Sequence, residues 1–576
     1  MKKEVSGKVS KIHLVMKILE YAVPAIHFIL TFFLERKIFI FSGNFEFVNE
    51  IARNDYISDK AEMVIVYILS KLVAAIIIWL MWKFIFGLIK GKIDKKPVFL
   101  FGAIFLIGVV MGAFFFPNVM PHAIDNYTNY SMAIRFLPTY WQSVYTGVVY
   151  VGSMMVFPHP FGIYLVQWMA FVATVAYIYG GLDKVFQGKN IKYFSLFFFF
   201  IPESFYVVFD AYRNNYYAIL CLFYFAYLIF TLRKKEKQFR MIEMISMSVL
   251  SAFIMVWRSE GILIGMGGML LLIVAYQIKW KKILVLAGVF LCAFLMTNSI
   301  QDIGSKKYYG QDYMIINTAD VLNSILNNPD ANFQYEGAED DLLAIEMVVP
   351  VQVLKESGAT GYRDYNWTSG RKNFNQSLAS DQAAEDYMSA YYRIIFHNID
   401  SYLNVQTNCL YRALQIDGLC PYFSYSGEKT TSLEHFQYTR WQVGCEELEA
   451  TYGTAQWKTN TIRKFGFAIV TWIVTLLRTL WENTGVNTIL HAGMLIANGA
   501  LLIIEAFKVL FCREKKSLEY LLYFLILLGE TAAIFLFMPV GRAAYFYPVI
   551  YVSYFVIFFY FAEKHNQKSI KNKERV

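Results

Sequence analysis

The stretch VFLFGAIFLIGVVMGAFFF, residues 98–116, holds no ionisable side chain and runs straight into PNVMPHAIDNYTNYSMA, residues 117–133. An α-helix needs about 20 apolar residues to cross about 30 Å of hydrocarbon. A segment dissolved in lipid must satisfy its own backbone hydrogen bonds, so a run of this kind is a helix. The pattern recurs along the chain, at roughly 13–34, 62–89, 98–116, 161–181, 193–209, 214–232, 241–257, 261–278, 282–296, 485–510, 517–538 and 543–562, which makes twelve expected spans. The first is interrupted by Lys17 and Glu20, three apart and able to pair on one helix face. It is too long for a secretory leader and has no small-residue cleavage site, so it reads as a retained span.

Composition agrees. Of 576 residues, 57% are hydrophobic and 17% charged, with 51 Phe and 41 Tyr. Soluble domains carry about 25% charged residues. A soluble enzyme, a disordered chain and a coiled coil are thereby excluded. The expected fold is mainly α: a polytopic helical membrane protein of about 12 transmembrane helices with a mixed or mainly helical outer segment. The formal charge of +9 is unevenly spread. Residues 297–462 hold 21 acidic and 11 basic side chains, a balance of −10, so the remainder stands at +19. Much of that excess lies in short loops between apolar runs, which is the mark of membrane orientation and not of a nucleic-acid groove.

The basic clusters are Lys2, Lys3, Lys8 and Lys11, then 90–96, 184–192, 233–240, 279–282, 513–516 and the tail from Lys564. Placing them all in the cytoplasm puts both termini inside and the loops 35–61, 117–160, 210–213, 258–260, 297–484 and 539–542 outside. With that parity 465–482 is a helix on the outer membrane surface, since a span there would carry 513–516 outward. The short apolar stretch 142–157 is placed at the outer interface too, with a re-entrant segment as the competing reading. Three regions result: 1–296, a transmembrane module with a large first outer loop at 117–160; 297–484, an extracytoplasmic segment ending in the interfacial helix; and 485–576, the last spans with a basic cytoplasmic tail. Three of six cysteines, Cys409, Cys420 and Cys445, fall in the outer segment and allow one disulfide; no pair has CxxC spacing.

Ionisable groups at the outer ends of spans are costly unless paired or wet, and so mark sites. Asp125 follows the exit at Pro117, with His122 before it and Asn126 after it. It is either a carboxylate base for an incoming hydroxyl or the N-cap of a helix starting near Asn126. Asp210 and Arg213 occupy the break in FDAYRNNYYA, residues 209–218, either as a local ion pair or with the guanidinium open to a phosphate. Arg258 and Glu260 sit in VWRSEGILIG, residues 256–265, and Arg542 in MPVGRAAYFYP, residues 538–548. Snorkelling, a local pair or interfacial anchoring would also explain these three. Four outward hairpins at one membrane depth together supply one carboxylate base and three guanidiniums, which suits transfer of a group from a lipid-phosphate carrier to an acceptor outside the cell.

With these residues in place the chain resembles the C-type (GT-C) superfamily of polytopic membrane glycosyltransferases. The nearest branch is that of the protein O-mannosyltransferases and aminoarabinose transferases and their bacterial relatives. The resemblance runs through PHAIDNYTNYSMAIRF, the 141–160 segment with FGIYLVQWMAFV, IPESFYVVFDAYRNNYYAILCL, VWRSEGILI, YYRIIFHNIDSYLNV at 391–405 and MPVGRAAYFYP. It implies Asp125 as the catalytic base and Arg213, Arg258 and Arg542 as contacts of the lipid phosphate, with His122, Asn126, Asp210 and Glu260 lining the same substrate site. Many members carry two acids in the first outer loop. Here Asn126 stands beside Asp125, so a divalent cation is a possibility the pattern leaves open, and no other cofactor is implied. The implied reaction is inverting transfer of a sugar from a polyprenyl-phosphate carrier to a glycan, lipid or protein acceptor on the outer face of a plasma membrane. A glycan on the sequons at Asn126 or Asn129 would obstruct that site, in keeping with a bacterial setting; Asn366 and Asn375 carry the other two. The alternatives are a polysaccharide polymerase or ligase, and a lipid or polysaccharide transporter without chemistry. Inverted repeats of the transporter kind are not visible in the sequence.

Overall fold

The structure, a computed structural model, describes residues 2–39, 60–91, 96–115, 129–130, 132–138, 140, 143–159, 161–187, 189–201, 204, 213–234, 240–276, 278, 280–308, 318, 321–356, 381–414, 486–538 and 543–573. Among the described residues all regular structure is helical. The helices are α1 (Lys2–Leu34), α2 (Lys60–Ile89), α3 (Lys96–Phe115), α4 (Val144–Val156), α5 (Phe161–Phe186), α6 (Arg213–Leu232), α7 (Met241–Trp257), α8 (Ile262–Tyr276), α9 (Trp280–Tyr308), α10 (Ala338–Val348), α11 (Val351–Glu356), α12 (Asp381–His397), α13 (Ile399–Leu414), α14 (Val486–Cys512), α15 (Lys515–Phe537) and α16 (Tyr547–Lys573). Tight 3-10 turns cover Glu35–Lys37, Asn190–Phe199, Ser259–Gly261 and Ala543–Tyr545.

Among the described residues seven helices are long and apolar enough to cross a membrane: Leu14–Leu34, Ala61–Ile89, Phe161–Phe186, Arg213–Leu232, Trp280–Ser305, Leu490–Cys512 and Lys516–Phe537. The chain is a multi-pass helical membrane protein. Four shorter apolar helices, Lys96–Ile107, Val144–Val156, Met241–Trp257 and Ser259–Ala275, accompany them. Three of the expected spans fall on α3, α7 and α8, and the last, 543–562, on the 3-10 turn at 543–545 and the first part of α16. The stretch expected as a span at 193–209 differs. Its described part is the 3-10 run Asn190–Phe199, followed by a turn at Phe200. Pro202 stands just beyond, and a proline disfavours helical geometry in the residue before it. Helix α9 also continues past residue 296 to Tyr308.

The chain divides into two compact units, the described residues up to Ile219 in one and those from Leu220 onward in the other. In the first unit α1 and α2 run antiparallel, and polar contacts join them and their ends. Glu35, in the turn after α1, pairs with Lys71 at 2.6 Å, the Trp82 indole N–H donates to His27 Nδ1 at 3.1 Å, and Glu20 pairs with Lys90 just past the end of α2. Glu20 therefore reaches across to the neighbouring helix end. Val64, Ile65, Ile68, Leu72 and Ile76 of α2 stay exposed, as lipid-facing side chains do, while Ala74 and Ile78 are buried. Helix α4 packs on both α2 and α5. Gly152 makes the approach to α2 possible, since a Cβ there would lie 2.9 Å from Val73 Cγ1 and 3.1 Å from the Ser70 carbonyl oxygen. All residues of α4 but one are buried. A helix lying on a membrane surface keeps one face open, so this packing fits the re-entrant alternative for 142–157 better than the surface one. Phe105 of α3, Phe171 of α5 and Phe199 form an aromatic cluster with centroids 5.4–6.4 Å apart.

In the second unit α7 packs against α8 and α9, and α15 against α8, α14 and α16. The Tyr224 hydroxyl of α6 bonds Ser251 of α7 at 2.7 Å, and Asn498 of α14 donates to Ser553 of α16 at 2.6 Å; such polar links join helices where no water can. At the basic ends of the helices Arg233 donates to Glu519 and Glu563, both at 2.8 Å, and Lys516 pairs with Glu563 at 2.9 Å. A smaller core lies between 321 and 402, where Val321, Leu322, Ile325, Ile345, Tyr387 and Ile394 are fully buried together. Asp341 is tied there to the Tyr335 hydroxyl at 2.8 Å and to Arg393 Nε at 2.8 Å. Burial and that carboxylate push the Tyr335 phenol up, and the same hydrogen-bonded carboxylate raises Arg393 further.

Candidate functional site

Arg258 is the residue at which α7 stops. Its extended backbone (φ −146°, ψ 141°) turns the chain into the Ser259–Gly261 turn, closed by the Gly261 N–H on the Arg258 carbonyl at 3.0 Å. Only 7% of Arg258 is exposed. Its Nε donates to Glu260 Oε1 at 2.6 Å, and Nη2 contacts the same carboxylate. The Ser259 hydroxyl donates to Glu260 Oε2 at 3.1 Å. The guanidinium carbon lies 4.8 Å from the centre of the Tyr545 ring, within the range of a cation–π contact. Tyr545 belongs to the turn three residues after Arg542. The turn after α7 and the turn at Ala543–Tyr545 therefore meet.

This arrangement has a definite chemical capacity. A guanidinium held over a ring keeps its charge and its fork of donors in one place. Glu260 already occupies one edge of that fork, so the local pair weighed at the sequence level is formed. An anion arriving at Arg258 would share the guanidinium with Glu260 or displace it. Helix α13 borders the same end of the unit: it packs on Ala543–Tyr545, α14 and α15. Tyr402 and Gln406 of α13 both donate to the Leu536 carbonyl in the last turn of α15, Gln406 at 2.6 Å.

In the first unit, Arg213 opens α6 and is half-buried. A cation there faces the positive end of the helix dipole and gains from a nearby anion. Asn214, Asn215 and Tyr217 behind it are buried, and the Tyr216 hydroxyl donates to the Ile163 carbonyl of α5 at 2.7 Å. In the 117–160 stretch, residues 129–130 and 132–138 are buried. Arg135 is only 2% exposed, the largest of the fully buried side chains. The chain there folds back on itself, with Leu137 N–H on the Met132 carbonyl at 2.9 Å and Phe136 at φ 57°.

Phe136 connects that loop to a site the sequence reading passed over. Its ring lies 5.3 Å from Tyr67 and 4.7 Å from Phe39. The Tyr67 hydroxyl donates to Glu35 at 3.0 Å, and Lys71 donates to Thr31 Oγ1 at 2.8 Å while standing 3.8 Å above the Phe32 ring. Glu35 and Lys71 are an ion pair with both side chains at least nine-tenths covered. The signal was a lysine in the middle of an apolar run, which in lipid is a site by default; its partner, a long way off in sequence, could not be named.

Of the sequence candidates, Arg213 stands in the first unit, and Arg258 and Glu260 in the second. His122, Asp125, Asn126, Asp210 and Arg542 lie outside the described residues, as does 465–482. Among the described residues no group of three or more His, Cys, Asp or Glu side chains could hold a metal ion. Cys409 is buried on α13, and Cys420 and Cys445 lie outside the described residues. No protein-family model, curated protein or solved structure matches the chain.

Proposed function

We propose that the chain is an inverting glycosyltransferase that moves a sugar from a polyprenyl-phosphate carrier to an acceptor on the outer face of the membrane. The observation that carries the reading is the buried Arg258 guanidinium over the Tyr545 ring, which joins the turn after α7 to the turn that follows Arg542 in sequence. The burial of Arg135 and its neighbours, a few residues beyond Asp125 in sequence, adds support, since a base needs a packed surrounding to hold it in position. Twelve spans, cytoplasmic termini and an outward site belong to the same proposal.

In this reaction Asp125 accepts the proton of the acceptor hydroxyl. The oxygen forms a bond to the anomeric carbon as the bond from that carbon to the phosphate oxygen breaks. The electron pair leaves with polyprenyl phosphate, and arginine charge stabilises it. Arg258 is the principal cation, with Arg213 and Arg542 as further contacts. Glu260 orients Arg258 until the phosphate takes its place on the fork.

The test is release of polyprenyl phosphate from a polyprenyl-phosphate sugar by purified protein. Asp125→Asn is expected to remove transfer while leaving insertion and folding intact, and Arg258→Gln to slow it by roughly 100-fold, on the scale of losing one electrostatic contact to the transition state. Undiminished release by Asp125→Asn would refute the assignment of the base. Absence of release with any carrier-linked sugar would refute the enzyme.

A further inference from the structure

Helices α12 and α13 are joined through Asn398 and carry an apolar row on the side turned away from their own core. Tyr392 and Phe396 lie one turn apart on α12, and Ile399 and Leu403 one turn apart on α13; all four are exposed, Phe396 at 77%. Tyr411 near the end of α13 is exposed as well. The opposite side is buried: Tyr387, Tyr391 and Ile394 belong to the core that includes Val321 and Ile345, and Val405, Gln406 and Cys409 are covered. These rings and branched chains are therefore not left over from a filled core. They form a second apolar face.

The depth of that face follows from one carbonyl. Helix α15 is 23 residues long, about 34 Å at 1.5 Å per residue, which is one hydrocarbon thickness. Leu536 is in its last turn, so its carbonyl lies at the boundary of the hydrocarbon, where the helix ends without intrahelical donors. Tyr402 and Gln406 supply those donors. Next to that carbonyl Phe537 is 75% exposed, as a lipid-facing ring is at the end of a span. Helix α13, which carries part of the row, is thus anchored through its covered side at the level of the lipid-facing end of α15.

We infer that the α12–α13 face formed by Tyr392, Phe396, Ile399, Leu403 and Tyr411 is seated in the headgroup–acyl boundary of the membrane, as a surface-lying element of the otherwise polar 297–484 segment. Tyr is well suited to that layer, with an apolar ring and a wet hydroxyl. The occupant is lipid and not a protein because the helix that bears the face is hydrogen-bonded to a lipid-exposed span end and so held at the boundary level. The inference is independent of the glycosyltransferase reading and holds for a transporter equally.

The experiment uses the full chain in phosphatidylglycerol–phosphatidylethanolamine vesicles containing a phospholipid with a photoactivatable diazirine on its acyl chain, with adducts mapped by mass spectrometry. Adducts are expected on Phe396, Ile399, Leu403 and Tyr411 at a frequency within about twofold of Phe537, and about tenfold above the polar stretch 332–340, since interfacial helices bury only their apolar face in lipid. Adducts on Phe537 but none on these four would overturn the inference. Diluting the protein in lipid separates the competing occupants. Adducts that emerge only on dilution assign the face to a second copy; a face unlabelled at every dilution assigns it to protein of the same chain. Either outcome overturns the membrane assignment.

Discussion

Replacing Lys71 by methionine tests the buried ion pair between α2 and the turn after α1. Lys71 and Glu35 approach to 2.6 Å with their side chains 8% and 9% exposed. At an effective dielectric of about 20, Coulomb attraction at that distance is about 6 kcal/mol, and the desolvation of two ions takes back several. The pair as a whole therefore contributes little. Its removal by halves does not, because among the described residues the surviving Glu35 carboxylate then keeps a neutral partner, the Tyr67 hydroxyl. The expected cost of Lys71→Met is roughly 3–5 kcal/mol, the range for an uncompensated buried charge. Glu35→Gln with Lys71→Met removes both charges, retains a partner for Tyr67, and is expected within about 1–2 kcal/mol of the parent. The assay is unfolding by SDS from mixed micelles, followed by circular dichroism, on the four proteins of the double-mutant cycle. If Lys71→Met is as stable as the parent, or the double variant loses the sum of the two single losses, the pair is not the coupled unit described.

The Glu563 carboxyl, just beyond the last expected span, is opposed by burial but held by the Arg233 charge and hydrogen bonds, with Tyr520 and Lys516, at about 2 against an ordinary 4.5. A depressed carboxylate contributes stability that is present above the ordinary value and lost as pH falls toward the folded one, here about 3 kcal/mol between pH 5 and 2; a stability profile of Glu563→Gln that keeps this acid slope would contradict it. Gly152→Ala forces a methyl against Val73 and the Ser70 carbonyl and is expected to cost about 1–3 kcal/mol by overpacking, read as a lowered unfolding midpoint. Asp341→Asn removes the charge on which Arg393 bonds and is expected to cost about 1.5–3 kcal/mol; unchanged thermal stability would show that the 321–402 core does not depend on it. Tyr545→Leu removes the ring beneath Arg258 and, on the proposed reaction, slows polyprenyl phosphate release about tenfold, in line with roughly 1–2 kcal/mol of cation–π energy.

Long apolar runs determined the class by themselves. Where a run such as 62–89 exceeds a bilayer's thickness, the backbone has no option in lipid but a helix, and hydropathy says where. The same logic marked Arg258 as anomalous in a tight apolar hairpin, and the local pair with Glu260 was within reach of sequence because the two are neighbours. Tertiary structure decided what hydropathy does not encode. The 142–157 stretch reads as marginal because it is short and rich in glycine and hydroxyls, yet those small residues are what let α4 press against α2 and be buried nearly all round. Lys71 was a charge in an apolar run without a nameable partner until the turn after α1 brought Glu35 to it, and Tyr545 was one aromatic among many until the turn at 543–545 laid it under Arg258. Period and composition act within a single segment, whereas ion pairs, ring contacts and helix crossings depend on which segments meet, and that is settled only when the helices pack.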